Sequence, residues 1–288
     1  MSTSHPDSLD LFVVIDPTQE PQPALTQAIH YSETPGVRVH LFVCVFDQAA
    51  EAGPEAARAT AREHMIERNR NWLDELAKPI TERGVPVSLG IEWDRDWREA
   101  IVRAARERRP DLVIKSTFKH SMTSRTLFKT SDRLLLRNCG CPVLLVKSAT
   151  PWTKRKVLGC LEPMPKDVGH GELNEAVMRE TRALADRFGF QPHYVLGADT
   201  TEDLPTAREM AEVAGVPRAQ VHVGTGAAAD VIVGAADRLG VDVIVIGTIA
   251  RRGAAGLMIG NTAERILDRV EVDVLAVPLP GTAEAPAG

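Results

Sequence analysis

Residues 241–267 read VDVIVIGTIARRGAAGLMIGNTAERIL and contain an apolar run, a glycine-rich loop and the start of a helical pattern in direct succession. The run over 242–246 is almost wholly Val and Ile, which is typical of a strand buried on both faces. Asn261 or Thr262 is predicted to cap the helix, because these side chains accept hydrogen bonds from a free first turn. A buried strand followed directly by a helix favours an α/β fold with a parallel sheet.

The same arrangement occurs twice in the chain. An offset of 131 residues superimposes similar segments in the same order. Chance sharing of Val and Ala between α/β segments does not produce ordered matches, so we interpret the chain as a duplicated domain. The matching segments are Gly84-Val85-Pro86 with Gly215-Val216-Pro217, Ile101-Val102 with Ile232-Val233, Ala104-Ala105 with Ala235-Ala236, and Asp111 with Asp242.

The predicted fold is two tandem α/β domains, each a five-stranded parallel sheet with helices on both faces. The domains are predicted over 1–150 and 151–280, followed by a disordered tail over 281–288 that is rich in Gly, Ala and Pro. The predicted strands are 11–15, 39–46, 87–92, 112–115 and 143–146 in the first half, and 157–161, 193–198, 220–223, 243–246 and 274–277 in the second. The predicted helices are 23–33, 55–83, 97–108 and 130–137 in the first half, and the second helix of the second half is predicted to be shorter, over 204–214.

Charge and cysteine content narrow the class of protein. Residues 1–150 hold 20 Lys and Arg against 20 Asp and Glu, so the net charge of −5 comes from the second half, which argues against nucleic acid as the main partner. The four cysteines include no CxxC pair, which favours a reducing, cytoplasmic location. The sequence shows no export signal and no apolar run of the ~18 residues that a membrane span needs.

The loop that follows residue 246 has the composition of an anion site. In a doubly wound sheet, ligands bind outside the carboxyl ends of the strands, where the strand order reverses. Glycine lets the backbone approach a phosphate, and a helix N-terminus attracts negative charge. Neither GxGxxG nor GxxxxGK[ST] is present, so dinucleotide and Walker-type loops are not supported.

This loop, its flanking strands and the tandem repeat closely resemble the universal stress protein family, in its tandem two-domain type. The family pattern is Gly, two residues, Gly, nine residues, Gly and then Ser or Thr. In this chain it reads Gly247-x-x-Ala250, nine residues, Gly260-Asn261. Ala250 and Asn261 depart from the pattern, and both departures bear on the affinity for ATP. Further likeness lies in Asp16-Pro17, in 21–25, in the helix over 132–137 and in 260–264.

The resemblance implies a Rossmann-like fold of the adenine nucleotide alpha hydrolase type, and ATP or a related adenine nucleotide as the ligand. It also implies that the apolar fifth strands pair the two halves as an intrachain pseudo-dimer, with a homodimer as a further option. The residues it places at the ligand site are Glu162 at adenine, Gly197 and Ala198 along the base, and Gly247, Thr248, Ala250, Arg251, Gly260, Asn261 and Thr262 at the ribose and phosphates.

The equivalent loop of the first half, 117–129, contains no glycine. One hypothesis is that Lys115 pairs with Asp16 and fills the place that a nucleotide would take. The alternatives are an anion-binding patch and a solvated basic face. Both alternatives involve the same residues, Lys115, Lys119, Arg125, Lys129 and Arg133.

Other features predict structural roles. Cys139-Gly140-Cys141 precedes a buried strand, which favours small-residue packing over redox or metal chemistry. Trp93 and Trp97 either close the first domain's cleft or pack in its core, and core packing is the preferred interpretation. The sequence contains no HExxH, no cysteine–histidine grouping at zinc spacing and no GxSxG, so neither a metal site nor a hydrolase constellation is expected.

The predicted function is that of a cytoplasmic stress-response protein that senses or carries a small-molecule ligand in its second domain, with a protein partner as an option. The first domain is expected to be a degenerate copy. Two alternatives remain open. One is a slow ATPase, for which the sequence shows no base or positioned water. The other is a binder of an apolar or phosphosugar ligand.

Overall fold

A computed structural model describes residues 8–117, 125–164, 168–202, 204–249, 251–253, 256–258 and 260–279, without the side chains of 125–130 and 251–258. The chain forms two compact units, Met1–Pro151 and Trp152–Gly288. The predicted tail over 281–288 and the predicted site residue Ala250 lie outside the described residues.

The first domain is a parallel five-stranded sheet in the order β3-β2-β1-β4-β5. The strand order reverses between β1 and β4, both of which are buried at nearly every position. The strands are β1 Leu9–Val14, β2 Val37–Val45, β3 Val87–Trp93, β4 Leu112–Ser116 and β5 Val143–Val146, and the helices are α1 Pro23–Tyr31, α2 Glu55–Thr81, α3 Trp97–Arg108 and α4 Arg125–Asn138.

The second domain repeats this sheet in the order β12-β9-β6-β7-β8, again with parallel pairing throughout. Its reversal lies between β6 and β9. The strands of the sheet are β6 Lys156–Leu161, β7 Gln191–Ala198, β8 Val221–Thr225, β9 Val243–Thr248 and β12 Asp273–Pro278, and the helices are α5 Val168–Phe188, α6 Ala207–Ala214, α7 Ala228–Leu239 and α8 Asn261–Arg269.

The predicted tandem α/β architecture is confirmed, with one addition. The glycine-rich loop contains a two-stranded antiparallel hairpin of β10 Arg251–Gly253 and β11 Gly256–Met258. Such short strands are too brief to show a periodicity in the sequence. The predicted bounds of the long strands and helices differ from the observed ones mostly at the ends, where local patterns are least informative.

Local sequence accounts for the helix ends. The Asp96 side chain accepts hydrogen bonds from the N–H groups of Arg98 and Glu99 and so caps α3. Thr206 and Glu209 form a reciprocal capping box at the start of α6. These caps fix where α3 and α6 begin.

Candidate functional site

The carboxyl ends of β6 and β9 are neighbours at the strand-order reversal of the second domain. Glu162 follows β6 directly, Thr248 is the last residue of β9, and α8 begins at Asn261. The parallel topology therefore brings the predicted ligand residues to one edge of the sheet, the edge at which such folds bind ligands.

Glu162 is exposed at this edge and is held by its backbone. The side-chain amide of Asn174, on α5, accepts from the Glu162 N–H at 2.9 Å and donates to the Glu162 carbonyl at 2.8 Å. Both hydrogen bonds join Asn174 to the backbone of Glu162, so they do not involve the Glu162 carboxylate. Sequence reasoning missed Asn174, since its role depends on α5 packing against the end of β6.

Gly197 and Ala198 end β7, the second strand of this sheet. A Cβ on Gly197 would lie 2.9 Å from the Val231 Cβ and 3.2 Å from the Ala228 Cα, both on α7. Packing of α7 therefore requires glycine at this position, whatever ligand binds nearby. The Ala198 carbonyl accepts from the Gly226 N–H at 2.8 Å, which ties the end of β7 to the loop after β8.

Gly247 and Thr248 end β9 and are also engaged within the domain. A Cβ on Gly247 would lie 2.5 Å from Cδ2 and 2.6 Å from Cγ of Leu173, a buried residue of α5. The buried Thr248 hydroxyl donates to the Val277 carbonyl of β12 at 3.2 Å. Contacts inside the domain thus account for both residues.

Gly260 differs from the other glycines of the predicted site. No described atom lies within 4 Å of the position that a Cβ would occupy, and its φ of −58° is open to any residue. Gly260 is the N-cap of α8 and no side chain caps the helix, so the prediction that Asn261 or Thr262 is the cap is wrong. Both residues lie inside the first turn and are exposed. The side chain of Arg251 lies outside the described residues.

The first domain has a cleft of about 460 Å³ at the carboxyl ends of β1, β2 and β4. Its apolar wall combines strand-end residues with α2 and α3, and its charged groups come from four separate elements. The apolar residues are Val14, Ile15, Val45, Phe46, Met65, Trp97 and Ile101, and the charged residues are Asp16, Arg68, Arg95 and Lys115.

Lys115 does not pair with Asp16, and that hypothesis is wrong. The Lys115 Nζ lies 2.8 Å from Oδ1 of Asp132, on α4, and donates to the Ser116 carbonyl at 3.0 Å. Thr117 donates its hydroxyl to the second Asp132 oxygen at 2.8 Å. Asp16 instead accepts from the Thr18 N–H and hydroxyl at 2.9 and 2.6 Å.

This ion pair removes Lys115 from the predicted basic face, because both partners are buried. Of the other predicted members, Lys119 lies outside the described residues, as do the side chains of Arg125 and Lys129. The duplication carries a signal for the pair that the sequence reasoning missed. Lys115 corresponds to Ile246 at the offset of 131, and after a one-residue shift Asp132 corresponds to Glu264.

Trp93 ends β3, Trp97 begins α3, and the two side chains take different positions. Trp97 is 37% exposed and lines the cleft, so the core-packing interpretation is wrong for it. The Arg98 guanidinium lies 4.5 Å from its ring centroid, a cation–π distance. Trp93 donates its indole N–H to Glu51 at 2.8 Å and lies outside the cleft lining.

A pair of histidines in the second domain is structural. Nδ1 of His193 lies 3.1 Å from Nε2 of His222, and the rings stack with centroids 5.3 Å apart. Burial, with a smaller effect of His222, lowers the pKa of His193 to about 4. Burial, with a smaller effect of Arg238, also lowers the pKa of His222, so the neutral form of both rings is favoured at pH 7. Within the described part of the chain, no group of three or more His, Cys, Asp or Glu side chains could hold a metal ion.

Comparison with known proteins agrees with this architecture. Residues 10–147 and 168–278 both match the model of the universal stress protein family. Universal stress protein E of Escherichia coli K12 is 28% identical over 296 residues, which cover 93% of each chain. The universal stress protein E homolog of Haemophilus influenzae is 22% identical and covers 93% of this chain and 96% of its own.

Solved structures share the two-domain fold. A Pseudomonas aeruginosa UCBPP-PA14 protein described as a universal stress protein has a TM-score of 0.76 at 28% identity, covering 94% of this chain and 93% of its own. A universal stress protein from Archaeoglobus fulgidus has a TM-score of 0.72 at 16% identity, covering 96% and 98%. No helix in the described residues combines the length and apolar character that a membrane crossing requires.

Proposed function

Because this chain belongs to the universal stress protein family, we propose that it is a cytoplasmic stress-response protein whose second domain binds a small phosphorylated ligand. ATP or a related adenine nucleotide is the proposed ligand, and a protein partner would read the bound state. The proposed site lies at the carboxyl ends of β6 and β9 and at the start of α8.

The observation that carries this proposal is the glycine at residue 260. Neither its backbone conformation nor any described neighbour requires glycine there. At Gly197 and Gly247, by contrast, helix packing gives a sufficient reason. A glycine that packing does not require, at a helix N-terminus without a side-chain cap, leaves room for close approach of a phosphate to the backbone.

The neighbouring residues support the same ligand class. Asn261 and Thr262 are exposed in the first turn of α8, where N–H groups lack partners inside the helix. The helix dipole adds a favourable interaction with negative charge at this end. Glu162 offers an exposed carboxylate on the adjoining strand, suited to accept a hydrogen bond from an exocyclic amine such as that of adenine.

Isothermal calorimetry with ATP, ADP and AMP tests the proposal. We expect Gly260→Trp to weaken binding at least about tenfold, which is about 1.4 kcal/mol, because the indole occupies the space above the helix N-terminus. Gly234→Trp is the matched control, since it adds the same side chain at an exposed position on α7. Absence of binding heat with all three nucleotides, or equal affinity in both variants, would contradict the proposal.

Phosphate release measured on the same proteins tests the slow-ATPase alternative. Turnover above background that disappears in Gly260→Trp and persists in Gly234→Trp would establish hydrolysis at this site. Gly247→Val is unsuitable for this purpose, because Leu173 occupies the space that the new side chain needs.

We further propose that the first-domain cleft binds a small anion with an apolar body. The cleft has space for such a molecule, and the Arg68 and Arg95 side chains lie on its wall beside aromatic and aliphatic residues. Lys115 adds little charge, since Asp132 neutralises it. An anionic head at the arginines and an apolar body against Phe46 and Trp97 match this lining.

Native mass spectrometry of protein purified without added ligand tests this second site. We expect the wild-type protein and Gly260→Trp to have a mass above that of the bare chain, because a ligand is retained. Arg68→Glu reverses the charge of the cleft and should lose this extra mass. The opposite pattern would assign the retained ligand to the second domain. A wild-type mass equal to that of the bare chain would contradict retention of a ligand by the cleft.

A further inference from the structure

Cys139 and Cys141 lie at the turn between α4 and β5, and their sulfur atoms are 3.0 Å apart. Gly140 between them has a φ of +72°, a left-handed conformation that glycine adopts without strain. This conformation reverses the direction of the chain after α4. It brings together the side chains on either side of the glycine, those of Cys139 and Cys141. Small-residue packing alone does not predict such close contact of the sulfurs.

The contact between the two thiols shifts the pKa of each of them. Both are free, Cys139 is buried, and Cys141 is half-buried, so the pair is reached from solvent at Cys141. The hydrogen bond from the Cys141 thiol lowers the pKa of Cys139, with a smaller contribution from Arg106. The same contact raises the pKa of Cys141, because it holds the remaining proton between the two sulfurs.

The other two cysteines lack these properties. Burial raises the pKa of Cys44 to about 11, and burial alone raises the pKa of Cys160. A thiol that stays protonated is a poor nucleophile. The corresponding turn of the second domain, Val270-Glu271-Val272, contains no thiol. The close thiol pair is therefore particular to the first domain.

We propose that Cys139 and Cys141 form a redox-active dithiol that a peroxide converts reversibly into a disulfide within the turn. A disulfide needs an S–S distance of about 2.05 Å, so the sulfurs have to approach by about 1 Å. This site does not depend on the nucleotide site, which lies in the other domain.

The chemistry balances with one peroxide for each disulfide. The contact lowers the pKa of Cys139 and raises that of Cys141, so Cys139 reacts as the thiolate while Cys141 keeps the shared proton. The thiolate attacks a peroxide oxygen, the O–O bond breaks, and a sulfenic acid and a hydroxide or alkoxide form. The hydroxide or alkoxide takes up the proton that the thiol released to solvent and leaves as water or alcohol. Cys141 then attacks the Cys139 sulfur, the S–S bond forms, the S–O bond breaks, and the hydroxide leaves as water with the Cys141 proton.

Reduction reverses the step through thiol–disulfide exchange. An external thiolate attacks one sulfur to form a mixed disulfide, and a second external thiol releases the protein dithiol. A disulfide between Cys139 and Cys141 would close a loop with only one intervening residue, which strains the bond. Strained disulfides are reduced more easily than relaxed ones. The predicted disulfide is therefore of the regulatory kind, formed under peroxide and lost when thiols recover.

Thiol counting on the full chain tests the proposal. After brief treatment with stoichiometric hydrogen peroxide, we expect the denatured wild-type protein to have lost two of its four reactive thiols. Its intact mass should fall by the mass of two hydrogen atoms, and dithiothreitol should restore both values. Peptide mapping should link Cys139 to Cys141. A Cys44→Ser/Cys160→Ser variant, which retains only this pair, should lose both thiols in the same way.

Two results would overturn the proposal. One is retention of both thiols in the Cys44→Ser/Cys160→Ser variant under peroxide that oxidises free cysteine. The other is a loss of thiols that adds oxygen atoms or links two chains, because that would show that the pair does not close on itself. Cys141→Ser provides a positive control for the second case, since its lone Cys139 can only add oxygen or join another chain.

Discussion

Asp132→Ala is expected to lower the free energy of unfolding of the first domain by about 3 to 5 kcal/mol. Lys115 is 9% exposed and Asp132 is 5% exposed, and their charged atoms are 2.8 Å apart. Removing the carboxylate leaves a buried ammonium group without its counter-charge and removes the acceptor of the Thr117 hydroxyl. Chemical denaturation by urea, followed by circular dichroism, measures the change.

A double variant separates this charge effect from the loss of packing. Lys115→Met combined with Asp132→Leu removes both charges at similar volume, so its stability should lie much closer to the wild type than that of Asp132→Ala. Glu264→Ala is the matched single change at the equivalent position of the second domain, where Ile246 replaces the lysine. Equal stability of Asp132→Ala and wild type would show that the ion pair does not hold α4 to β4.

Gly247→Val is expected to destabilise the second domain by about 3 kcal/mol, the upper part of the range for overpacked cores. The new Cβ would lie 2.5 Å from Leu173, closer than nonbonded carbon atoms approach, and Leu173 is itself buried. Either α5 shifts away from β9 or the leucine leaves its position. Urea unfolding of the full chain reports the loss of stability.

Gly260→Val is the matched control for this change. It adds the same side chain where no described atom lies within 4 Å, so we expect a cost below about 1 kcal/mol, that of a poorer N-cap residue. Leu173→Ala combined with Gly247→Val should be more stable than the sum of the single changes predicts, because the truncated leucine makes room. Additive effects would show that the strain in Gly247→Val does not arise from contact with Leu173.

The surroundings of the three glycines of the predicted site differ. The family resemblance places Gly197 along the base, and Gly247 and Gly260 in the phosphate-binding loop. In the structure, helices α7 and α5 pack against the first two, whereas no described atom lies within 4 Å of a Cβ at the third. Binding experiments should therefore use residue 260, since changes at the other two positions would alter the fold together with any site.

The fold was predictable to a large extent because its signals are local. The apolar runs of the strands and the alternation with helices are visible within windows of a few residues. For example, α3 and β5 have the predicted bounds of 97–108 and 143–146. The hairpin of β10 and β11 was not predicted, because two three-residue strands held by each other carry no periodic pattern.

The candidate sites were less predictable. The sequence placed Glu162, Gly247 and Gly260 correctly with respect to strand and helix ends, because parallel topology aligns those ends. It assigned a cap at Asn261 or Thr262 that the backbone does not use. Capping depends on the φ and ψ angles of one residue, and the sequence admits several starting points within the same turn.

The sequence by itself determined the duplication, the order of strands and helices, and the edge of each sheet at which a ligand would bind, since these follow from periodicity and connectivity. Only the tertiary structure decided that Asp132 rather than Asp16 neutralises Lys115, that Leu173 requires glycine at 247, and that the Cys139 and Cys141 sulfurs touch. The ion pair and the Leu173 contact each depend on the packing of a helix against a strand, which brings together side chains from separate parts of the sequence. The sulfur contact depends on the backbone φ angle of Gly140.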